Sequence, residues 1–180
     1  KDIYAVGDAV QVKNYVTNED TLIPLAGPAN KQGRIAANNI CGGNSVFKGS
    51  QRSSIIKVFE LTAAETGISE KDAQSAGLKY EKIIISPMSH ASYYPGGKLM
   101  NIKFLFEKDT YRILGAQIIG FGGVDKRIDV LATAIRAGLT AIDLKELELA
   151  YAPPYSSAKD PVNILGLIAD NMESGIVKQW

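Results

Sequence analysis

The chain has 180 residues, 46% of them apolar and 22% charged, enough for one sizeable core of an ordinary globular protein. A net charge of +1 gives no electrostatic case for nucleic acid or an anionic membrane as partner, and no apolar run is long enough to span a bilayer. One cysteine, Cys41, and one histidine, His90, leave no internal disulfide and no zinc site of the usual type, and fit a reducing, cytoplasmic setting.

Lys1-Asp2-Ile3-Tyr4-Ala5-Val6 reads as a buried strand with no preceding partner, from which we expect a piece of a larger protein. Gly7-Asp8-Ala9 follows. There a glycine lets a ligand approach the backbone, and a carboxylate can accept hydrogen bonds from sugar-like hydroxyls. The same pair also suits a common turn. Gly27 as cap and Pro28 as first residue predict a helix over about 29–40, whose free N-terminal amides suit an anion or an electron-rich ring. Cys41-Gly42-Gly43-Asn44 ends it and is the best domain boundary; Cys41 reads as a small buried residue there, with no redox role.

Beyond the boundary the period changes. Residues 54–61 read as one strand, and Ser69 to Asp72 as a capping box for a short helix that Gly77 closes. Residues 80–85 and 98–107 read as strands. In the second, Met100, Ile102, Phe104 and Phe106 share one face, and residues 111–119 return as its hairpin partner. A helix over 125–137 stops at Gly138, and Thr140 to Asp143 caps a shorter one. These elements predict an α+β fold, an antiparallel sheet with helices grouped after it.

In Tyr151-Ala-Pro-Pro-Tyr-Ser-Ser-Ala-Lys-Asp160, Pro153 and Pro154 suggest an extended backbone that displays Tyr151 and Tyr155. Asp160 and Pro161 then read as N-cap and first residue of a last helix, closed by Gly175. Such a segment is either a ligand-holding surface or a plain Pro-rich connector.

Three stretches together resemble one family. Ile3-Tyr-Ala-Val-Gly-Asp-Ala9 resembles the second flavin-binding motif of the FAD- and NAD(P)H-dependent disulfide oxidoreductases. Pro24-Leu25-Ala26 with Gly33-Arg34 is similar to the helix beneath the flavin in the branch of NADH oxidases and coenzyme A-disulfide reductases. Gly123-Val-Asp-Lys-Arg-Ile-Asp-Val130 with residues 151–160 resembles the interface domain of the coenzyme A-disulfide reductases. The resemblance implies that residues 1–44 are the tail of an FAD-binding domain, 45–170 a dimerisation domain, and 171–180 a helix end or linker. It implies a homodimer in which NAD(P)H reduces FAD, FAD reduces a cysteine absent from this chain, and that cysteine exchanges with coenzyme A disulfide, a persulfide or a polysulfide.

Carried over position by position, Gly7, Asp8, Leu25 and Ala26 would contact FAD. Asn30, Tyr151 and Lys159 would contact coenzyme A, and Tyr93 and Tyr151 would reach the redox cysteine of the other subunit. The chain alone is then expected to be inactive and not to hold FAD tightly. An NADH oxidase on the same scaffold and a non-catalytic dimerisation or coenzyme A-binding module are the competing readings. Each residue also has a plainer account: interface packing for the two tyrosines, a solvated side chain for Lys159, interface salt bridges for Lys126 and Arg127. His90 has no orienting partner evident in the sequence around it, and Gly120-Phe-Gly-Gly123 lacks the spacing of a dinucleotide fingerprint.

Overall fold

Strand β6 (Met100–Glu107), an interior strand of the sheet, anchors the core because its alternate residues are all large and apolar. Met100, Ile102, Phe104 and Phe106 are fully buried, each contributing about 1.5–3 kcal/mol of transfer free energy. The structure is a computed structural model and describes residues 3–177. Residues 1, 2 and 178–180, with the expected strand start and the end of the expected linker, lie outside the described residues.

The chain divides into two compact units, residues 1–52 and 53–180. In the first, β1 (Val12–Lys13) and β2 (Asp20–Thr21) pair antiparallel, and helix α1 spans Ala26–Ile40. The unit ends later than Asn44, because the Ser50 amide donates to the Lys13 carbonyl at 2.9 Å and the Tyr15 amide to the Ser50 carbonyl at 2.8 Å. Those bonds tie residues 45–52 to the first unit. Residues 3–6 are not a strand: they have no ladder partner among the described residues, and Ile3 is 92% exposed. Helix α1 begins two residues earlier than expected, with Leu25 as N-cap. Pro28 is then the third helical residue, still within the first turn, where no amide is required. Cys41 caps the other end and is exposed rather than buried.

The second unit carries an antiparallel sheet of order β3-β4-β7-β6-β5, with β3 (Ser54–Val58), β4 (Leu61–Gly67), β5 (Tyr80–Ile85) and β7 (Ile113–Gly120). Residues 54–61, expected as one strand, are a hairpin whose Val58 pairs with Leu61. Phe59 takes φ 52 in the two-residue turn, a conformation usually given to Gly or Asn, so nothing in the sequence flagged it. Helix α3 (Val124–Ala137) packs across β4 and β7. Helix α4 (Pro161–Glu173) packs on a 3-10 turn, Ile142–Glu146, which the Thr140 capping box opens.

Helix α2 (Glu70–Ser75) is held to the sheet by Glu70, which accepts from Lys103, from Lys82 and from the Tyr80 hydroxyl. Those partners, Lys103 foremost, pull its carboxyl from 4.5 to about 2. A depressed acid contributes stability above its unfolded value, lost as pH falls through the folded one. Acid titration of stability is therefore expected to steepen between pH 4.5 and about 2, and Glu70→Gln to flatten that interval in urea midpoints measured across pH. Identical slopes would show the cluster to be neutral.

Candidate functional site

Two irregular loops of the second unit meet at its surface. One runs from β5 to β6 and carries Tyr93; the other runs from the 3-10 turn to α4 and carries Tyr151. Their hydroxyls lie 2.9 Å apart although 58 residues separate them in the chain. Both rings stay accessible, Tyr93 at 73% and Tyr151 at 47% exposure. The hydrogen bond with Tyr93 first, then partial burial, holds the Tyr151 phenol above its ordinary value, so it remains protonated at neutral pH. A protonated phenol at a surface can donate to a soft anion such as a thiolate.

Each loop is built from short-range bonds. The Tyr94 amide closes a turn on the Ala91 carbonyl, and Ser89 and Lys98 exchange bonds across the loop's base. His90 does have partners, close in sequence: Nδ1 lies 3.2 Å from the Ser89 hydroxyl and Nε2 3.3 Å from the Tyr94 carbonyl. A carbonyl only accepts, so Nε2 carries the proton and both ring nitrogens are spent on holding the loop.

In the second loop Pro153 and Pro154 are not extended. They lie within a turn, because the amides of Tyr155 and Ser156 both close on the Ala152 carbonyl. Ser156 is then buried, and its carbonyl accepts from the Ala91 amide at 3.0 Å, joining the two loops directly. Tyr155 points outward, and Lys159 is exposed.

Beneath both loops sits Arg127, 1% exposed, which the sequence placed at an interface salt bridge. It is paired inside its own chain instead. Nη2 is 3.0 Å from Asp160 Oδ2 and 3.0 Å from the Ser89 carbonyl, and Nη1 is 3.1 Å from the Gly123 carbonyl. Its partner Asp160 caps α4 by accepting from the Val162 amide. Burial alone would raise the Asp160 carboxyl; the Ser156 hydroxyl, the Val162 amide and Arg127 together keep it below its ordinary value. Lys126 also stays within the chain, donating to the Ala150 carbonyl at 3.2 Å. Arg127 had a readable signal: it occupies the stripe Val124, Ile128, Leu131, Ala134, Ile135 at helical spacing, where a charge must find a buried partner.

A second group of expected residues lies in the first unit. Gly7 takes φ 96, nothing stands within 4 Å of where its Cβ would be, and its amide donates to Gln32 Oε1 of α1 at 2.8 Å. Asp8 beside it is exposed. Leu25 and Ala26 begin α1, whose N-terminus has no side-chain cap and no acidic residue in its first turn. Asn30 lies one turn in and is exposed. Open backbone, a free carboxylate and uncapped amides suit a phosphorylated, hydroxyl-bearing cofactor such as FAD. No cluster of His, Cys, Asp and Glu able to hold a metal ion occurs among the described residues.

Comparison with known proteins bears on the second unit most directly. A family model described as "Pyridine nucleotide-disulphide oxidoreductase, dimerisation domain" matches residues 53–161. The chain belongs to this family. Its antiparallel sheet and grouped helices are the fold of that dimerisation domain.

Among curated relatives, the coenzyme A disulfide reductase of Staphylococcus epidermidis is 37% identical over 166 residues, covering 92% of this chain and 37% of the relative. Among solved structures, the reduced CoADR-RHD of Bacillus anthracis superposes with a TM-score of 0.95 at 52% identity, covering 99% of this chain and 32% of that one. A NAD-dependent persulfide reductase from A. fulgidus follows at 0.94 and 46%, covering 99% and 33%. The chain with the dimerisation domain thus spans little more than a third of the curated relatives it matches.

Proposed function

We propose that this chain is the dimerising, active-site-completing part of a homodimeric FAD-dependent NAD(P)H oxidoreductase that reduces coenzyme A disulfide, a persulfide or a polysulfide. The observation that carries this reading is the exposed hydroxyl pair of Tyr93 and Tyr151, 2.9 Å apart on a dimerisation domain. The likeness to a coenzyme A disulfide reductase and a persulfide reductase supports the acceptor class.

In this reading the pair faces a redox cysteine of the partner subunit. FAD, when bound, would pass electrons from NAD(P)H to that cysteine; Gly7, Asp8, Leu25 and Ala26 are the residues here that would hold it. When the cysteine thiolate attacks the disulfide, one sulfur–sulfur bond forms and another breaks, and a thiolate leaves. Tyr151, protonated at neutral pH, gives its proton to the leaving sulfur or donates a hydrogen bond to it, and Tyr93 supports the resulting phenolate. Water then returns the proton. By the same resemblance Asn30 and Lys159, each within its own unit, would contact coenzyme A, Lys159 as a point charge for phosphate.

In the full-length enzyme, Tyr151→Phe is expected to lower kcat with coenzyme A disulfide by about a hundredfold. Light scattering should still show a homodimer. Unchanged turnover would remove the tyrosines from the chemistry, and oxygen consumption that exceeds disulfide turnover would favour the NADH oxidase reading.

A further inference from the structure

Neither tyrosine sits on a helix or strand, yet their hydroxyls meet at hydrogen-bond distance. An exposed hydroxyl pair competes with water, so it does not hold two loops in place. Beyond the Ala91–Ser156 backbone bond that joins the loops, the restraint comes from below. Arg127 reaches both loops from the rigid, buried face of α3. On one side Nη2 binds the Ser89 carbonyl at 3.0 Å, at the base of the Tyr93 loop. On the other, Nη2 lies 3.4 Å from the Tyr155 carbonyl, 3.2 Å from the Ser156 hydroxyl and 3.0 Å from Asp160 Oδ2, all in the Tyr151 loop or at its end. Ser156 passes the contact on, donating to Asp160 at 2.6 Å. The planar fork satisfies acceptors from two loops at once, which a lysine ammonium in the same place could not match in direction.

We propose that Arg127 is the positioning residue of the tyrosine pair, fixing the Tyr93 loop and the Tyr151 loop to α3 and so setting the distance between the two hydroxyls. The proposal rests on the reading that these phenols serve the reaction, and it adds what holds them ready. A hydroxyl displaced by about 1 Å from its productive position can lower the rate by up to a hundredfold.

The test separates positioning from bulk stability with Arg127→Met combined with Asp160→Asn in the full-length enzyme. That pair leaves no buried charge unpaired, and asparagine still caps α4. The readout is the titration of the tyrosine 13Cζ resonances, assigned with Tyr93→Phe and Tyr151→Phe. In the parent, Tyr93→Phe should shift the Tyr151 titration toward the ordinary phenol range; in the double variant this dependence should vanish, with disulfide kcat reduced and KM for NAD(P)H unchanged. A folded double variant in which Tyr93→Phe moves Tyr151 as far as in the parent overturns the proposal. If the double variant does not fold, Arg127→Lys replaces it, with partial loss of the dependence expected and full retention overturning. Lost dependence with unaltered disulfide turnover upholds Arg127 as the positioning residue and removes the phenols from the chemistry.

Discussion

Arg127→Met alone is expected to destabilise the chain by about 3–5 kcal/mol, the range for breaking one side of a buried ion pair. Methionine fills much of the space but leaves the Asp160 carboxylate, 2% exposed, without its guanidinium. It also strips a donor from the carbonyls of Gly123 and Ser89. Lys126 compensates little: its Nζ is 3.6 Å from Asp160 Oδ2, and it is already bonded to the Ala150 carbonyl. Removing both charges should behave differently, since no ion is then stranded; Arg127→Met with Asp160→Asn should recover most of the loss.

The pH dependence gives an independent sign. In the parent the Asp160 carboxyl is depressed, so it contributes stability above its unfolded value and loses it on acidification. Without Arg127, burial dominates and raises the carboxyl, so the variant gains relative to the parent as Asp160 is protonated. The gap between the two should begin to narrow above about pH 4, where the variant's raised carboxyl takes its proton. It should go on narrowing below that as the parent loses its contribution, measured as urea midpoints from pH 3 to 7 at intervals of roughly one unit. A gap that widens on acidification would show that the pair is not what Arg127 stabilises.

What the sequence made legible were features whose cause is local. The Ser69–Asp72 capping box is present in both directions, and Asp160 with Pro161 opens α4 as its residue types require. The alternation through Met100, Ile102 and Phe104 reported a buried face, because a strand shows one side of its residues to the core. What escaped were features set by distant partners or by an untypical residue. The Phe59 turn has no glycine; residues 3–6 have strand-like residues but no ladder partner among those described. Pro153 and Pro154 follow Ala152, whose carbonyl collects two amides because Ser156 is pinned from α3 and from the Tyr93 loop. The tyrosines are a mixed case. Spacing says nothing about residues 58 apart, and only the resemblance put both on one list; their contact needed the fold.

The second large effect comes from a glycine inside a helix. Gly166→Ala in α4 would ordinarily stabilise by about 1 kcal/mol, through helix propensity. Here a Cβ would stand 2.2 Å from the Lys145 amide nitrogen and 2.7 Å from the Leu144 carbonyl carbon. Both are backbone atoms of the 3-10 turn, so no side-chain rotation relieves the clash. Helix and turn must part, yet Asn163 ties them by donating to the carbonyls of Leu144 and Leu147, and Lys145 pairs with Asp170 at 2.7 Å. Overpacking of this kind sits at or above the upper end of the usual 1–3 kcal/mol, so a net loss of about 3 kcal/mol is expected. At this chain length that lowers Tm by roughly 6–12 °C. Gly33→Ala in α1, with nothing within 4 Å of its Cβ position, is the control and should instead stabilise slightly. Because Asp160 is the N-cap of α4, a shift of the helix also moves the carboxylate that Arg127 holds. Gly166→Ala should therefore loosen the hydroxyl pair as well, lowering disulfide kcat even at temperatures where the variant is fully folded. Full turnover there would show that the tyrosine loop is anchored independently of α4.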